Sequence, residues 1–249
     1  ALTLHIRRKG TMQGIIACEA DPEELIGEAC ALPEPDGKSL VKAVTTKRAY
    51  EVGEGTRLVS LMDFGAKANI IASLVSAGNR VRVLPAGSSA REVLEGYPSG
   101  VLLSNGPGDP NDVDYAMPVI SEIMSAKVPV MGICLGHQLL GITTGATAKK
   151  MKFGHRGSNH PVKDVDSGRC YITSQNHGYA LDPEGLAGEW AITHYNLHDG
   201  TVEGMRHKQL PVFSVQFHPE AFPGPGDTAG LFLRFADLMD ERGSLYAQR

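Results

Sequence analysis

A chain of 249 residues with 42% hydrophobic content can bury one substantial core plus an appendage, and leaves no room for a second large domain. Its formal charge of −4, without a basic run, argues against nucleic acid as a partner, and no apolar stretch approaches a membrane span, so a soluble protein is expected. Cys18, Cys30, Cys134 and Cys170 are scattered, lack C-x-x-C spacing and follow no secretory segment, which makes them reduced thiols and places the chain in the cytoplasm.

Taken in order, residues 2–8 and 22–30 carry short helical patterns, the second capped by Asp21 ahead of a Pro in its first turn. A Pro-rich, charged linker follows at 31–38 (ALPEPDGK), and 41–55 shows little periodic hydrophobicity, so a domain boundary is expected near residue 55. Beyond it strands and helices alternate: strand 57–63, helix 66–77, strand 80–84, helix 90–96, strand 101–103, helix 115–126, strand 128–133 and helix 136–143. This repetition predicts an α/β fold with a mostly parallel open sheet flanked by helices, whose site residues gather beyond the strands' carboxyl ends. From 148 to 217 short strand-like runs (171–174, 190–194, 201–206) predict an added antiparallel section. Residues 212–217 read as a buried strand, and a helix at 231–239 closes the fold.

The segment 128–141, VPVMGICLGHQLLG, runs an apolar strand into Gly132-Ile133-Cys134-Leu135-Gly136 and then into a helix. A sharp strand-to-helix turn brings backbone segments so close that small residues are required two before and two after its apex, and Gly132 and Gly136 supply them. A thiol at a helix N-terminus sits near free N–H groups that favour the thiolate, which makes Cys134 a candidate nucleophile; a buried structural cysteine is the plain alternative.

A base decides between these. His218-Pro219-Glu220 lies just past the strand at 212–217, where an imidazole can take the thiol proton while the carboxylate fixes its tautomer. By itself this tripeptide also fits a surface His and a solvated Glu. His137, adjacent to the turn but on the following helix, is the second candidate base. The loop after strand 101–103, reading SNGPGDPN, can turn a backbone N–H toward a developing oxyanion and, with the N–H of Leu135, form a two-donor hole; it also fits a simple strand-ending turn.

Other features carry less. Asp63-Phe64-Gly65 has neither H-R-D nor a glycine-rich nucleotide loop beside it and reads as a strand-ending turn. His155, His160 and His177 match no zinc spacing, so no metal site is expected. The sequence lacks G-x-x-x-x-G-K-[ST], and no phosphate-cradling glycine run opens a helix, so ATP is not expected on this chain.

The three loop segments together resemble the class I, or triad, glutamine amidotransferases. Met62–Leu74 (MDFGAKANIIASL), Lys150–Val162 (KMKFGHRGSNHPV), Gln175–Ala180 (QNHGYA) and Pro219–Asp227 (PEAFPGPGD) are similar to the small, glutaminase subunits of carbamoyl phosphate synthetases, along nearly the whole chain. The resemblance implies Cys134, His218 and Glu220 as catalytic residues. It implies glutamine contacts from Gly106, Gly108, Leu135, Gln138, Asn176, Gly178 and Tyr179, the last at a position often held by phenylalanine. It further implies L-glutamine as substrate, no cofactor on this chain, and a large synthetase subunit that uses ATP for carbamoyl phosphate formation in pyrimidine and arginine biosynthesis. Residues 1–55 then correspond to the remnant of an N-terminal domain with its linker, and 56–249 to the amidotransferase domain; a glutamine-contacting serine of that N-terminal domain has no counterpart here. A glutaminase serving another synthase, and a non-catalytic regulatory module that has kept the fold, are the competing readings.

Overall fold

The computed structural model describes residues 2–9, 12–19, 21–32, 37–186, 188–221 and 224–247. The chain opens with α1 (Leu2–Lys9), α2 (Pro22–Ala31) and α3 (Gly37–Val44), then continues through β1 (Tyr50–Val52), β2 (Arg57–Asp63), α4 (Ala68–Ser76), β3 (Asn79–Pro85), α5 (Ala90–Leu94) and β4 (Gly100–Leu103). A 3₁₀ segment (Pro110–Ala116) leads into α6 (Met117–Ser125), followed by β5 (Val130–Ile133), α7 (Leu135–Thr143), β6 (Thr147–Asp164) and β7 (Cys170–Asp182). The last elements are β8 (Trp190–Asn196), β9 (Val202–His207), β10 (Val212–Val215) and α8 (Gly230–Ala247).

Among the described residues the strands form one sheet in the order β1-β3-β2-β4-β5-β10-β9-β8-β6-β7. β3, β2, β4, β5 and β10 are mutually parallel, while β9, β8, β6 and β7 continue as an antiparallel section. β4 and β5 are short continuous apolar runs and β10 is interrupted only by Ser214, because helices cover both faces and every residue of these three strands is buried. Side chains alternate along them. Val59, Leu61, Leu102 and Met131 meet Ile70 and Leu74 of α4 and Phe235 and Met239 of α8 on one face. Met62, Val101, Leu103 and Val130 meet Ile120 and Ile123 of α6 and Leu139 and Leu140 of α7 on the other.

Local chemistry sets the boundaries. Asp21 caps α2 by accepting from the Glu23 N–H, and Ser89 with Glu92 forms a capping box on α5. Two elements go beyond the expectation for 31–55, part of which (33–36) lies outside the described residues. α3 is two turns long and buries Val41 on the core; β1 pairs antiparallel with β3 as the edge strand of the main sheet. Eight and three residues are too few for a readable period. The antiparallel section also differs in scale: β6 and β7, 18 and 13 residues long, form an extended hairpin with register shifts between Lys150 and His155 and between Gly157 and His160.

The strand-to-helix turn at Cys134 depends on absent side chains. A Cβ on Gly136 would lie 2.2 Å from the Leu103 carbonyl oxygen, and one on Gly132 would lie 2.8 Å from the Gly136 carbonyl oxygen. Both obstacles are backbone. Gly136→Ala is therefore expected to lower stability by roughly 2–3 kcal/mol through overpacking, measured as an earlier urea midpoint at unchanged m; an unmoved midpoint would show that the turn has slack.

Candidate active site

β4, β5 and β10 lie side by side, with Leu103 paired to Gly132 and Val215 to Ile133, so the segments leaving their carboxyl ends converge. Cys134 is the first residue beyond β5. Its backbone is strained, at φ +52° and ψ −100°, and the strain is held from both sides: the Cys134 N–H donates to Val215 O at 2.9 Å and the Gly136 N–H to Ser104 O at 3.0 Å. α7 begins at Leu135, directing its free N–H end toward the thiol.

His218 is fixed by its own N–H, which donates to Ser174 O of β7 at 2.9 Å. Pro219 presets the turn that follows, closed by the Ala221 N–H donating to His218 O at 3.1 Å. This folds Glu220 back so that its Oε1 lies 2.6 Å from His218 Nδ1, leaving the other ring nitrogen for the hydrogen bond between His218 and Cys134. All three groups are almost wholly withdrawn from solvent, yet Cys134 and His218 border a cavity of about 1330 Å³.

The electrostatics follow from these contacts. Burial opposes a charge on His218, but the Cys134 sulfur, by charge and hydrogen bond, and then Glu220 outweigh it and push the imidazole up to about 9. Burial pushes the Glu220 carboxyl up, and is overcome by the hydrogen bond to His218, the charge of His218 and that of Lys67, so it lies below its ordinary value. His137, by contrast, is driven down to about 3 by burial and neighbouring imidazoles. It bonds Ser214 Oγ through Nδ1 at 2.8 Å and does not border the cavity, a geometry that suits packing rather than service as a base.

The residues expected to meet a ligand gather on the same cavity. Gly106, Gly108, Gln138, Asn176, Gly178 and Tyr179 border it; Leu135 and Glu220 stand behind its wall. Gly106 presses on Leu135, since a Cβ there would fall 2.7 Å from Leu135 Cδ2, and Gly108 takes φ +95°. Strand alternation in β7 buries Gln175 and His177 and turns Asn176 outward. The Tyr179 hydroxyl is pushed up to about 12 by burial, a hydrogen bond to Asp109 and the charges of Asp109 and Asp112, which ties β7 to the loop after β4. Gln138 donates to Tyr179 O and to Gln216 Oε1, each at 2.9 Å, so its amide oxygen is the end it can offer a ligand.

Three residues without an expected role join the site. Lys67 Nζ lies 3.1 Å from Glu220 Oε1, Asn69 donates to the Glu220 carbonyl, and Asn105 accepts from the Lys67 N–H at 3.1 Å. Asp63 builds the turn that presents them, accepting from the Gly65 and Ala66 N–H groups at 2.9 and 2.7 Å. Among the described residues, His155, His177 and Glu203 are grouped closely enough to hold a metal, with donor atoms within 4.8 Å of one another, a proximity their spacing in the chain does not disclose. Glu203 Oε1, however, lies 3.3 Å from His155 Nδ1, and the Asn196 amide nitrogen lies 3.0 Å from the former and 3.3 Å from the latter, so these polar groups already partner one another.

A cysteine at a strained strand-to-helix turn, with His218 and Glu220 just past the end of the neighbouring parallel strand β10, is the arrangement expected of an amidotransferase of the triad class. The family Glutamine amidotransferase class-I matches residues 60–238, and the chain belongs to it. Solved structures agree on the fold: a protein from Thermoplasma acidophilum described as belonging to GMP synthase (20% identity, TM-score 0.69, 78% of this chain and 99% of that one) and a glutamine amidotransferase from Thermotoga maritima (18%, 0.55, 76% and 86%). Within the family, the similar curated proteins are carbamoyl phosphate synthase small chains, the group to which this chain belongs. They include those of Symbiobacterium thermophilum (47% identity, 96% of this chain, 68% of the relative), Chlorobaculum tepidum (49%, 96%, 67%) and Bacillus caldolyticus (50%, 96%, 66%). The chain thus spans about two thirds of their length.

Proposed function

We propose that this chain hydrolyses the side-chain amide of L-glutamine through a thioester on Cys134, and that the ammonia passes to a large, ATP-using synthetase subunit for carbamoyl phosphate synthesis. The observation that carries the reading is the continuous contact from Cys134 through His218 to Glu220, placed beside a cavity and backed by Lys67.

In the first step the Cys134 sulfur attacks the amide carbon of glutamine, and its proton resides on His218, whose ring Glu220 orients. The carbonyl oxygen becomes an oxyanion, met by the Leu135 N–H at the start of α7 and by the Gly106–Gly108 loop; each such donor stabilises the transition state by about 3 kcal/mol. His218 gives its proton to the departing nitrogen as the C–N bond breaks, releasing ammonia and leaving the γ-glutamyl thioester. A water, deprotonated by the now neutral His218, attacks the thioester carbon; the C–S bond breaks, glutamate leaves, and the sulfur and imidazole return to their starting pair. Asn176, Gly178, Tyr179 and Gln138 hold the amino-acid end of the substrate. No step draws on a cofactor of this chain.

Ammonia protonates in water and loses its nucleophilic lone pair, so protected delivery to the partner follows from the chemistry. Among the described residues no helix is long and apolar enough to cross a membrane. Residues 1–55 belong, in this reading, to the end of a preceding domain that lends β1 to the sheet of the amidotransferase domain at 56–249. Glutamate release is expected to rise about tenfold or more when a large carbamoyl phosphate synthase chain is added, as coupling between sites of a working complex requires. No stimulation by that chain, with stimulation by another ammonia-using synthase, would transfer the assignment to the latter.

A further inference from the structure

The stretch Asn105-Gly106-Pro107-Gly108, in the loop that leaves β4, borders the cavity beside Cys134. Its two glycines leave the backbone conformationally free, and among the described residues no hydrogen bond from Gly106, Pro107 or Gly108 to the rest of the protein holds it. A donor for a developing oxyanion is effective only when its direction is set before the reaction, and a misplacement of about 1 Å can cost about 10²-fold. Something outside the glycines must set it.

The support comes from the turn after β2. Asn105 reaches that turn with both ends of its amide: Oδ1 accepts from the Lys67 N–H and Nδ2 donates to Gly65 O, each at 3.1 Å. Both partners are backbone groups of fixed polarity, so one orientation of the amide satisfies them. The turn is itself well held, because each backbone N–H from Phe64 to Lys67 has an acceptor: Ser104 Oγ for Phe64 at 2.9 Å, Asp63 Oδ1 for Gly65 and Ala66, and Asn105 for Lys67. The two segments also touch, since a Cβ on Gly106 would fall 2.3 Å from Phe64 O and one on Gly65 would fall 3.1 Å from Pro107 Cδ. With Lys67 Nζ 3.1 Å from Glu220 Oε1, the Asn105 amide stands between the acid end of the triad and the oxyanion loop.

We propose that Asn105 is a positioning residue for glutamine hydrolysis, its amide locking the Gly106–Gly108 loop to the turn that carries Lys67. The proposal rests on the reading that Cys134 attacks glutamine and that this loop meets the oxyanion. Loss of the amide leaves in place the residues that hold the substrate's amino-acid end and misdirects a group that acts in the transition state, so the deficit falls on kcat.

The test is steady-state glutaminase kinetics on this chain with a large synthetase chain, together with inhibition by glutamate γ-semialdehyde. The Cys134 sulfur adds to the aldehyde carbon of this analogue, the C=O π pair moves to oxygen as an oxyanion, and the thiol proton stays on His218. Asn105→Leu, which removes both ends of the amide at similar volume, is expected to lower kcat about tenfold or more with KM for glutamine within about threefold, and to weaken the semialdehyde by the same factor as kcat. Asn105→Asp keeps the acceptor for Lys67 but turns a second oxygen toward Gly65 O; it is expected to act in the same direction and stands in for Asn105→Leu if the latter does not fold. Ser89→Ala, which uncaps α5 away from the cavity, is expected to lower the melting temperature with kcat and semialdehyde inhibition unmoved. Unchanged kcat and inhibition in a folded Asn105 variant, a rise in KM alone, or a matching loss in Ser89→Ala overturns the proposal. Cys134→Ala separates the two levels: glutamate release abolished there but intact in the Asn105 variants rejects the role of Asn105 alone, while release that persists in Cys134→Ala rejects the underlying reading.

Discussion

Cys134→Ala is expected to reduce glutamate release from glutamine by about 10⁴-fold or more, while the chain stays folded. The size follows from the chemistry, because without the sulfur no thioester forms and the remaining base and oxyanion donors act only on water; removing one member of such a unit costs about as much as removing several. The fold should tolerate the change. The turn is held by backbone bonds to Val215 O and from Gly136 to Ser104 O, and alanine carries the same Cβ at φ +52° that cysteine does. Circular dichroism and a thermal midpoint within about 5 °C of the parent would show that the loss is chemical, since a ΔΔG near 1 kcal/mol shifts a chain of this size by only about 2–4 °C. Turnover retained in a folded Cys134→Ala would reject the assignment.

His218→Asn is expected to cost about 10³-fold or more, because the residue both receives the thiol proton and returns it to the leaving nitrogen. Its pH signature is specific. The imidazole is raised from 6.5 to about 9, against burial, by the Cys134 sulfur and Glu220, so below about pH 9 the ring is charged and paired. As pH rises through about 9 that proton is lost, and with it the acid needed to expel ammonia; activity of the parent falls there, whereas residual activity of His218→Asn lacks this limb. Stability should move in the same direction. A group raised on folding stabilises fully below its unfolded value, near 6.5, and the contribution declines above it until it is gone past about 9. An alkaline limb identical in parent and variant would show that another group controls it.

The parallel half of the fold was legible because β4 and β5 are unbroken apolar runs and β10 is interrupted only by Ser214, and buried strands leave that signature. The long hairpin of β6 and β7 was not. Most of β6 faces solvent, carries Lys, Gly and His, and shifts register twice, so no alternation survives in the sequence. α3 and β1 were too short to announce themselves, although Val41 shows that α3 packs on the core.

The candidate site divides in the same way. Gly132, Cys134 and Gly136 state their constraint within five residues, as do His218, Pro219 and Glu220 within three, because each set is one turn of backbone. The supports are tertiary. Lys67 meets the Glu220 carboxylate and Asn69 reaches its carbonyl from 151 residues earlier, and nothing local marks either for that task. His177 and Glu203 become neighbours only because β6, β7, β8 and β9 fold into one antiparallel section.

The central claim, that Cys134 attacks the amide carbon of glutamine, is tested most directly by incubating the chain with an electrophilic glutamine analogue such as a diazoketone and mapping the adduct by mass spectrometry. One adduct per chain, on Cys134 and suppressed by excess glutamine, is the predicted result. Labelling confined to the exposed Cys18, Cys30 or Cys170, or none while the same preparation hydrolyses glutamine, would contradict it.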